Sequence, residues 1–195
     1  MNRREYNRNA TKKHIEDTLL QLLGEGTYLH EISTSQLCSA AGIAKSTFYL
    51  YFQDKYAVLE GIVEETFGEL KTINEPFGHY SISDLASGKP TPIARELVSY
   101  LSRNKQKFRI LFGATGAPDF MYQGKGEIEN KFKELYRALH MNPKHEQLVA
   151  SQFFAGVIGL FRFYLFENTT YSDEKMTIIF GNMLKSVLML ADHLD

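Results

Sequence analysis

The most informative residues lie between Lys45 and Lys55, where the chain reads Lys-Ser-Thr-Phe-Tyr-Leu-Tyr-Phe-Gln-Asp-Lys. If Lys45 to Tyr51 form a short helix, Phe48 points inward and Lys45, Ser46, Thr47, Tyr49, Leu50 and Tyr51 point out. These outward residues are basic, hydroxylated, small or aromatic, and none is acidic. That composition suits approach to a polyanion. Lys45, Ser46 and Thr47 would stand at the N-terminal end of the helix, the part that reaches base edges in a DNA major groove. The backbone N–H groups and dipole at such an end also favour phosphate. The hydroxyls of Tyr49 and Tyr51 would reach backbone phosphates, and Lys55 would clamp another. Leu50 would suit a thymine methyl.

A short helix cannot hold itself in place, so neighbouring elements must position it. Ile15, Leu19, Leu22 and Leu23 form one apolar stripe on a helix starting near Ala10 or Thr11 and ended by Gly24 and Gly26. Thr34 is the expected N-cap of a second short helix through Ala41, with Leu37, Cys38 and Ala41 inward. Gly42 is suited to positive φ and a sharp turn, and Ile43 would fill the angle before the third helix. Asp54 is the expected cap of a fourth helix whose inward face carries Val58, Leu59, Ile62, Val63, Phe67 and Leu70. Three helices around a small core containing Phe48 and Phe52 make the helix-turn-helix plan.

Over positions 34–55 the pattern Thr-x-x-x-Leu-x-x-x-Ala-Gly-Ile-x-Lys-x-Thr-Phe-Tyr-x-Tyr-Phe-x-x-Lys closely resembles the signature of the TetR/AcrR regulators. The resemblance implies DNA contacts for Thr34, Lys45, Ser46, Thr47, Tyr49, Leu50, Tyr51 and Lys55. Two positions depart from the family pattern. Ala44 stands where a capping Ser is usual, a loss of roughly 0.5–2 kcal/mol of helix stability, and Leu50 is apolar where a polar side chain is common.

Beyond residue 74 the chain continues with a turn-rich loop over 74–92. Helical patterns follow at about 92–104, 105–115, 124–140, 144–168 and 173–193, punctuated by Pro118, Gly124, Gly126 and Pro143, with Ser172-Asp173 starting the last. Residues 102–112, Pro118-Asp119-Phe120 and 154–168 resemble the C-terminal domain of a Firmicutes-type branch of the same family. That branch includes the regulator of dihydroxyacetone kinase, an activator. In this family the last two helices pair with their mates in a dimer. Ala155 and Gly159 are four apart on one face and would allow close helix approach; the alternative is that this stretch is the monomer's central helix. Aromatic residues are dense here. Phe108, Phe112, Phe120, Phe132 and Phe154, with Arg162, are the candidate lining of an effector pocket, although aromatics at helical spacing more often form core. Arg162 foremost suggests an ion pair with Glu129 or Glu134; an anionic ligand or a dimer contact are the alternatives.

Net charge is −1, so attraction to DNA must be local. Residues 1–14 hold Arg3, Arg4, Arg8, Lys12 and Lys13 against Glu5. They read either as a basic arm on DNA or as a solvated terminus. The six histidines show no metal-ligand spacing, and Cys38 has no cysteine partner. There is no P-loop, dinucleotide fingerprint or Gly-x-Ser-x-Gly elbow, so an enzyme, a metal and a cofactor are not expected. The N-terminus does not read as a secretory signal. The apolar run Phe153–Phe166, broken by Arg162, reads as too short for a bilayer, which suggests a cytoplasmic protein without a membrane partner.

The expected protein is therefore all-α. Residues 1–55 form the DNA-binding helix-turn-helix, a connecting helix covers about 55–73, and 74–195 form a helical domain for effector binding and dimerisation. The expected partners are an operator in double-stranded DNA, a second copy through the last two helices, and a small-molecule effector. The expected function is a homodimeric repressor. An activator or co-regulator working through a partner protein, and a helical adaptor that does not read DNA, are the alternatives.

Overall fold

The computed structural model describes residues 3–74, 87, 89–113, 117, 120–138, 140, 143–167 and 170–192. Among these there are helices and no strand, the all-α class expected. The helices are α1 (Arg3–Gly24), α2 (Thr34–Ala40), α3 (Lys45–Phe48), α4 (Lys55–Asn74), α5 (Pro92–Arg103), α6 (Lys105–Leu111), α7 (Phe120–Ala138), α8 (Glu146–Arg162) and α9 (Asp173–Asp192). A 3-10 turn, Pro143–His145, leads into α8, and a π-helical turn, Phe163–Glu167, follows it. Most of the loop expected over 74–92, together with Pro118, Asn168 and His193, lies outside the described residues.

The chain packs into two compact units, one of residues 1–68 with 106–120, the other of residues 69–105 with 121–195. In the first, Ile15, Leu19, Leu37, Phe48 and Val58 are fully buried. Apolar residues from four helices thus close one small core, which is why α2 and α3 hold their shape at seven and four residues. Two boundaries near the start of this unit are among those that differ from the expected ones. Helix α1 begins at Arg3 rather than near Ala10, because its first turns carry no apolar stripe for periodicity to detect. The cap of α2 is Ser33, not Thr34. Ser33 Oγ accepts from Gln36 N–H at 3.1 Å while Gln36 Oε1 accepts from Ser33 N–H at 2.8 Å, a reciprocal box that satisfies two helix-end donors. Asp54 caps α4 as expected, its Oδ1 accepting from the amides of Tyr56 and Ala57 at 2.8 and 2.9 Å.

In the second unit α9 packs on α5 and on α8. Phe132 stacks on Phe153 at 4.8 Å between ring centroids, and Phe161 on Phe180 at 6.2 Å. Ser172 caps α9, its Oγ accepting from the Lys175 amide. Helices α8 and α9 approach closely at Gly156, where an added Cβ would lie 2.9 Å from Met183 Sδ. Ala155 and Gly159 are instead exposed. The stretch Glu146–Glu167 is, by length and composition, long and apolar enough to cross a membrane, so the shortness expected from Phe153–Phe166 does not hold. Its apolar residues divide between the core (Val149, Phe153, Val157 and Phe161) and an outer stripe.

One charged residue lies deep in the first unit. Glu16 is 2% exposed. Its Oε1 lies 3.5 Å from Lys12 Nζ without accepting a hydrogen bond, and an added Cβ at Gly61 of α4 would come within 3.3 Å of it. Burial, helped by the nearby Glu65 carboxylate, raises the Glu16 pKa above its ordinary 4.5, while Lys12 and Lys13 oppose the rise. A folded-state pKa above the unfolded one gives stability that is present at low pH and is lost as pH climbs through the raised value. Glu16→Gln is therefore expected to melt higher than the parent at neutral pH. The margin should widen as pH rises above 4.5. Thermal melts between about pH 4 and 7 test this, and a margin independent of pH would exclude titration of Glu16 as its source.

Candidate nucleic-acid interface

The turn after α2 sets the exit direction of α3. Gly42 takes φ +62°, a conformation that side chains with Cβ rarely adopt. His14 on α1 closes the same corner, with Nε2 3.0 Å from the carbonyl of Ala41. Helix α3 then leaves with Phe48 fully buried and its neighbours turned outward. Its α-helical part, Lys45–Phe48, is shorter than the expected Lys45–Tyr51. The chain continues in a tightened turn, in which Leu50 N–H donates to Thr47 at 3.2 Å and Tyr51 N–H to Phe48 at 2.9 Å. The tightening keeps Tyr49 and Leu50 outward, at 57% and 73% exposed, and brings Phe52 back into the core.

Lys45 and Ser46 are exposed; Thr34, Thr47, Tyr51 and Lys55 are half-buried. Ala44, before α3, makes no side-chain cap bond. The acid next in sequence, Asp54, accepts from two amides of α4. The arrangement presents cationic and hydroxyl donors on a rigid three-helix support.

Lys55 makes polar contacts within the chain. Its Nζ donates to the carbonyls of His30 at 3.0 Å and Ile32 at 2.6 Å, and it lies 5.2 Å from the centre of the Tyr56 ring. Tyr28, His30 and Tyr56 are exposed beside it. None of these three stands out in the sequence, because they share no periodicity with the 45–51 face and meet only through the fold.

The six candidate pocket residues fall into two groups. Phe108, Phe112 and Phe120 gather with Phe67 in the first unit. Phe67 and Phe120 stack at 4.8 Å, and Phe112 meets Phe120 edge-on at 5.3 Å. Phe132, Phe154 and Arg162 belong to the second unit. There Phe132 is core, Phe154 is half-buried, and Arg162 is exposed over the ring of Phe166 at 5.5 Å. Of the acids proposed for Arg162, Glu129 meets Lys125 and the Ser151 hydroxyl, and Glu134 meets Lys131. No group of His, Cys, Asp or Glu that could hold a metal ion occurs among the described residues.

Comparison with known proteins bears on this geometry. The model of the bacterial regulatory proteins of the tetR family matches residues 19–62, which contain α2, α3 and the start of α4. Over 70 residues the chain is 37% identical to the HTH-type dhaKLM operon transcriptional activator DhaS of Lactococcus lactis subsp. lactis (strain IL1403). That match covers 36% of this chain and 36% of the relative's length. Among solved structures, a dihydroxyacetone kinase operon activator DhaS is similar with a TM-score of 0.56 and 18% identity, over 94% of this chain and 97% of that one. A TetR transcriptional regulator from Streptococcus agalactiae 2603V is similar with a TM-score of 0.63 and 15% identity, over 93% and 97%. At these identities the two structures show likeness of fold. All of these relatives are named as regulators of transcription, not as enzymes.

Proposed function

We propose that this chain, whose residues 19–62 match the model of the tetR family of bacterial regulatory proteins, is a member of that family, a homodimeric regulator of transcription that reads an operator in double-stranded DNA and responds to a small-molecule effector. The observation that carries the reading is the outward, non-acidic face of Lys45, Ser46, Thr47, Tyr49, Leu50 and Tyr51, of which Thr47 and Tyr51 are half-buried and the rest exposed, held on the buried side chain of Phe48. Lys45, Ser46 and Thr47 would reach base edges, Leu50 a thymine methyl, and Thr34, Tyr49 and Tyr51 the phosphates. In a two-fold dimer the two recognition helices would enter successive major grooves about 34–36 Å apart.

The effector would bind within the helices that follow α4. Helix α4 contributes residues to both units, as does the segment around 105–106, so a shift of either would be carried covalently toward α3. Coupling of this kind is typically about 1–3 kcal/mol. Repression by occupying a promoter is the simplest outcome for such a protein. A second reading, activation, is favoured by the name of the Lactococcus relative. A reporter behind the selected operator separates the two by whether expression rises or falls when the gene is deleted.

The primary test is a salt series with duplexes enriched by the protein from a randomised pool and a scrambled control. Preference for the enriched duplex is expected. Affinity should fall about a thousandfold or more between 50 and 200 mM salt if each dimer neutralises six or more phosphates. No enrichment and no binding at low salt would leave the adaptor reading in its place.

A further inference from the structure

Packing gives no reason for an ionisable group at Glu16 of α1, yet its side chain is 2% exposed and its Oε1 accepts no hydrogen bond. Three side chains converge beside Gly61 of α4. A Cβ added there would lie 3.3 Å from Glu16 Oε1, 3.6 Å from Phe52 Cε1 and 3.9 Å from Lys12 Nζ. Lys12 Nζ is 3.5 Å from Glu16 Oε1 and 6.0 Å from the centre of the Phe52 ring. Phe52 belongs to the tightened turn that follows α3, its N–H donating to the Phe48 carbonyl at 3.1 Å. The pair is unequal: the Lys12 side chain is 47% exposed, so an anion from outside can reach it, while the carboxylate is closed off. Three other charged groups act on Glu16. Lys12 and Lys13 of α1 favour the carboxylate, and Glu65 of α4 opposes it. Lys13 is already engaged with Asp17 at 3.2 Å, which leaves Lys12 as the direct counter-charge. Phe52 and Gly61 bring no charge.

We infer that Glu16 is a proton-linked restraint on DNA binding: as a carboxylate it holds Lys12 back from the phosphates, and it takes up a proton when Lys12 turns to them, so that affinity for DNA rises as pH falls. This inference rests on the DNA reading proposed above. A buried carboxylate deprived of its counter-charge is strongly unfavourable, and a proton restores neutrality. The negative field of the DNA acts in the same direction. The complex then binds more protons than the free protein, and by linkage its formation is favoured by acid. Burial already raises the Glu16 pKa above 4.5, which moves this titration toward neutral pH.

Parent and Glu16→Gln are titrated with the enriched duplex between about pH 5 and 7.5 at fixed salt. The parent is expected to gain about tenfold in affinity on acidification, as about threefold in proton affinity at each subunit of a two-fold dimer multiplies to that figure. The Gln variant should lack this gain and bind about tenfold more tightly than the parent at pH 7.5. Its slope of log affinity against log salt should be steeper by about 0.9 for each Lys12 released. The six histidines are common to both proteins, so the difference isolates Glu16. Adding Lys12→Met to the Gln variant should return affinity and slope at pH 7.5 to parental values. A Gln variant that matches the parent in affinity and pH profile overturns the inference, as does a double variant that keeps the gain. The unaltered protein gives a direct readout: the side-chain carboxyl carbon resonance of Glu16 should titrate at higher pH with the enriched duplex than without it, and an unmoved midpoint overturns the assignment. A parent that binds no duplex at low salt fails the DNA reading itself, whereas one that binds with the pH profile of the Gln variant fails this inference alone.

Discussion

Replacing Tyr49 with alanine is expected to lower affinity for the enriched duplex by about a hundredfold for the proposed dimer and to leave thermal stability nearly unchanged. The first half follows from what the phenol is placed to do. A hydrogen bond to a charged group contributes about 1.5–3 kcal/mol, so loss of one phosphate bond costs about tenfold per subunit at the lower end, and a two-fold dimer loses it twice. The second half follows from exposure. Tyr49 is 57% exposed and its packing partner is an edge-on contact with Phe48 at 5.5 Å. Phe48, one residue earlier, provides the internal control. It is fully buried, and Phe48→Ala removes a ring from the core at a cost of about 3–5 kcal/mol, a large part of the roughly 5–15 kcal/mol that holds an ordinary domain together. Adjacent residues on one short helix should therefore separate cleanly, one losing binding with its fold intact and the other losing the fold. Titration of each variant with the enriched duplex, alongside thermal melting, reads both. A Tyr49→Ala protein that melts normally and binds like the parent would remove Tyr49 from the interface.

The contrast between Phe48 and Tyr49 is legible in the amino-acid order alone, because burial alternates with exposure at helical period and the composition of the outward side is unusual. Gly42 is legible for the same kind of reason, since a sharp turn between two short helices needs positive φ, and φ is +62° there. What sequence does not supply are features set by through-space neighbours. Glu16 is one polar letter in an amphipathic stripe, and nothing local reveals that Gly61, 45 residues later, packs beside its carboxylate. Lys55 matches a motif position, but the two carbonyls that hold it lie 25 and 23 residues earlier in the chain. Glycines mislead in a third way. Gly124 and Gly126 resemble punctuation, yet α7 starts at Phe120 and runs through both. A glycine inside a helix costs about 1 kcal/mol, and packing of Phe120 against Phe67 and Phe112 makes an earlier start favourable. At its other end α7 stops at Ala138, and His140 adopts φ +55°, which no helical period announces.

Leu148→Glu combined with Ile178→Glu is expected to convert the proposed dimer to a monomer and to lower affinity for the enriched duplex by about a hundredfold or more. The argument starts from which apolar residues the second unit leaves outside. On α8 and the π-helical turn, Leu148, Gln152, Ala155, Gly159, Arg162 and Phe166 lie on the outer side at helical spacing and are all exposed; on α9, Ile178 and Met189 are exposed as well. Among these, Ala155 and Gly159 are small, and an added Cβ at Gly159 would meet nothing within 4 Å in this chain. Small residues help a monomer only where its own helices press together, and in this chain that place is Gly156 against Met183. A flat outer stripe flanked by Leu148, Phe166, Ile178 and Met189 is what a second pair of helices would cover, and a stable dimer typically buries about 1,600 Å² or more in total. Because Leu148 and Ile178 are 61% and 40% exposed in the single chain, charging them should spare the monomer fold. In the dimer, each would force a carboxylate into an apolar contact where it has no partner. Sedimentation should show the change in mass, circular dichroism should show unchanged helix content, and the DNA titration should show half-site binding alone. A variant that remains dimeric would move the interface elsewhere, and one that becomes monomeric yet keeps parental affinity would show that a single recognition helix suffices.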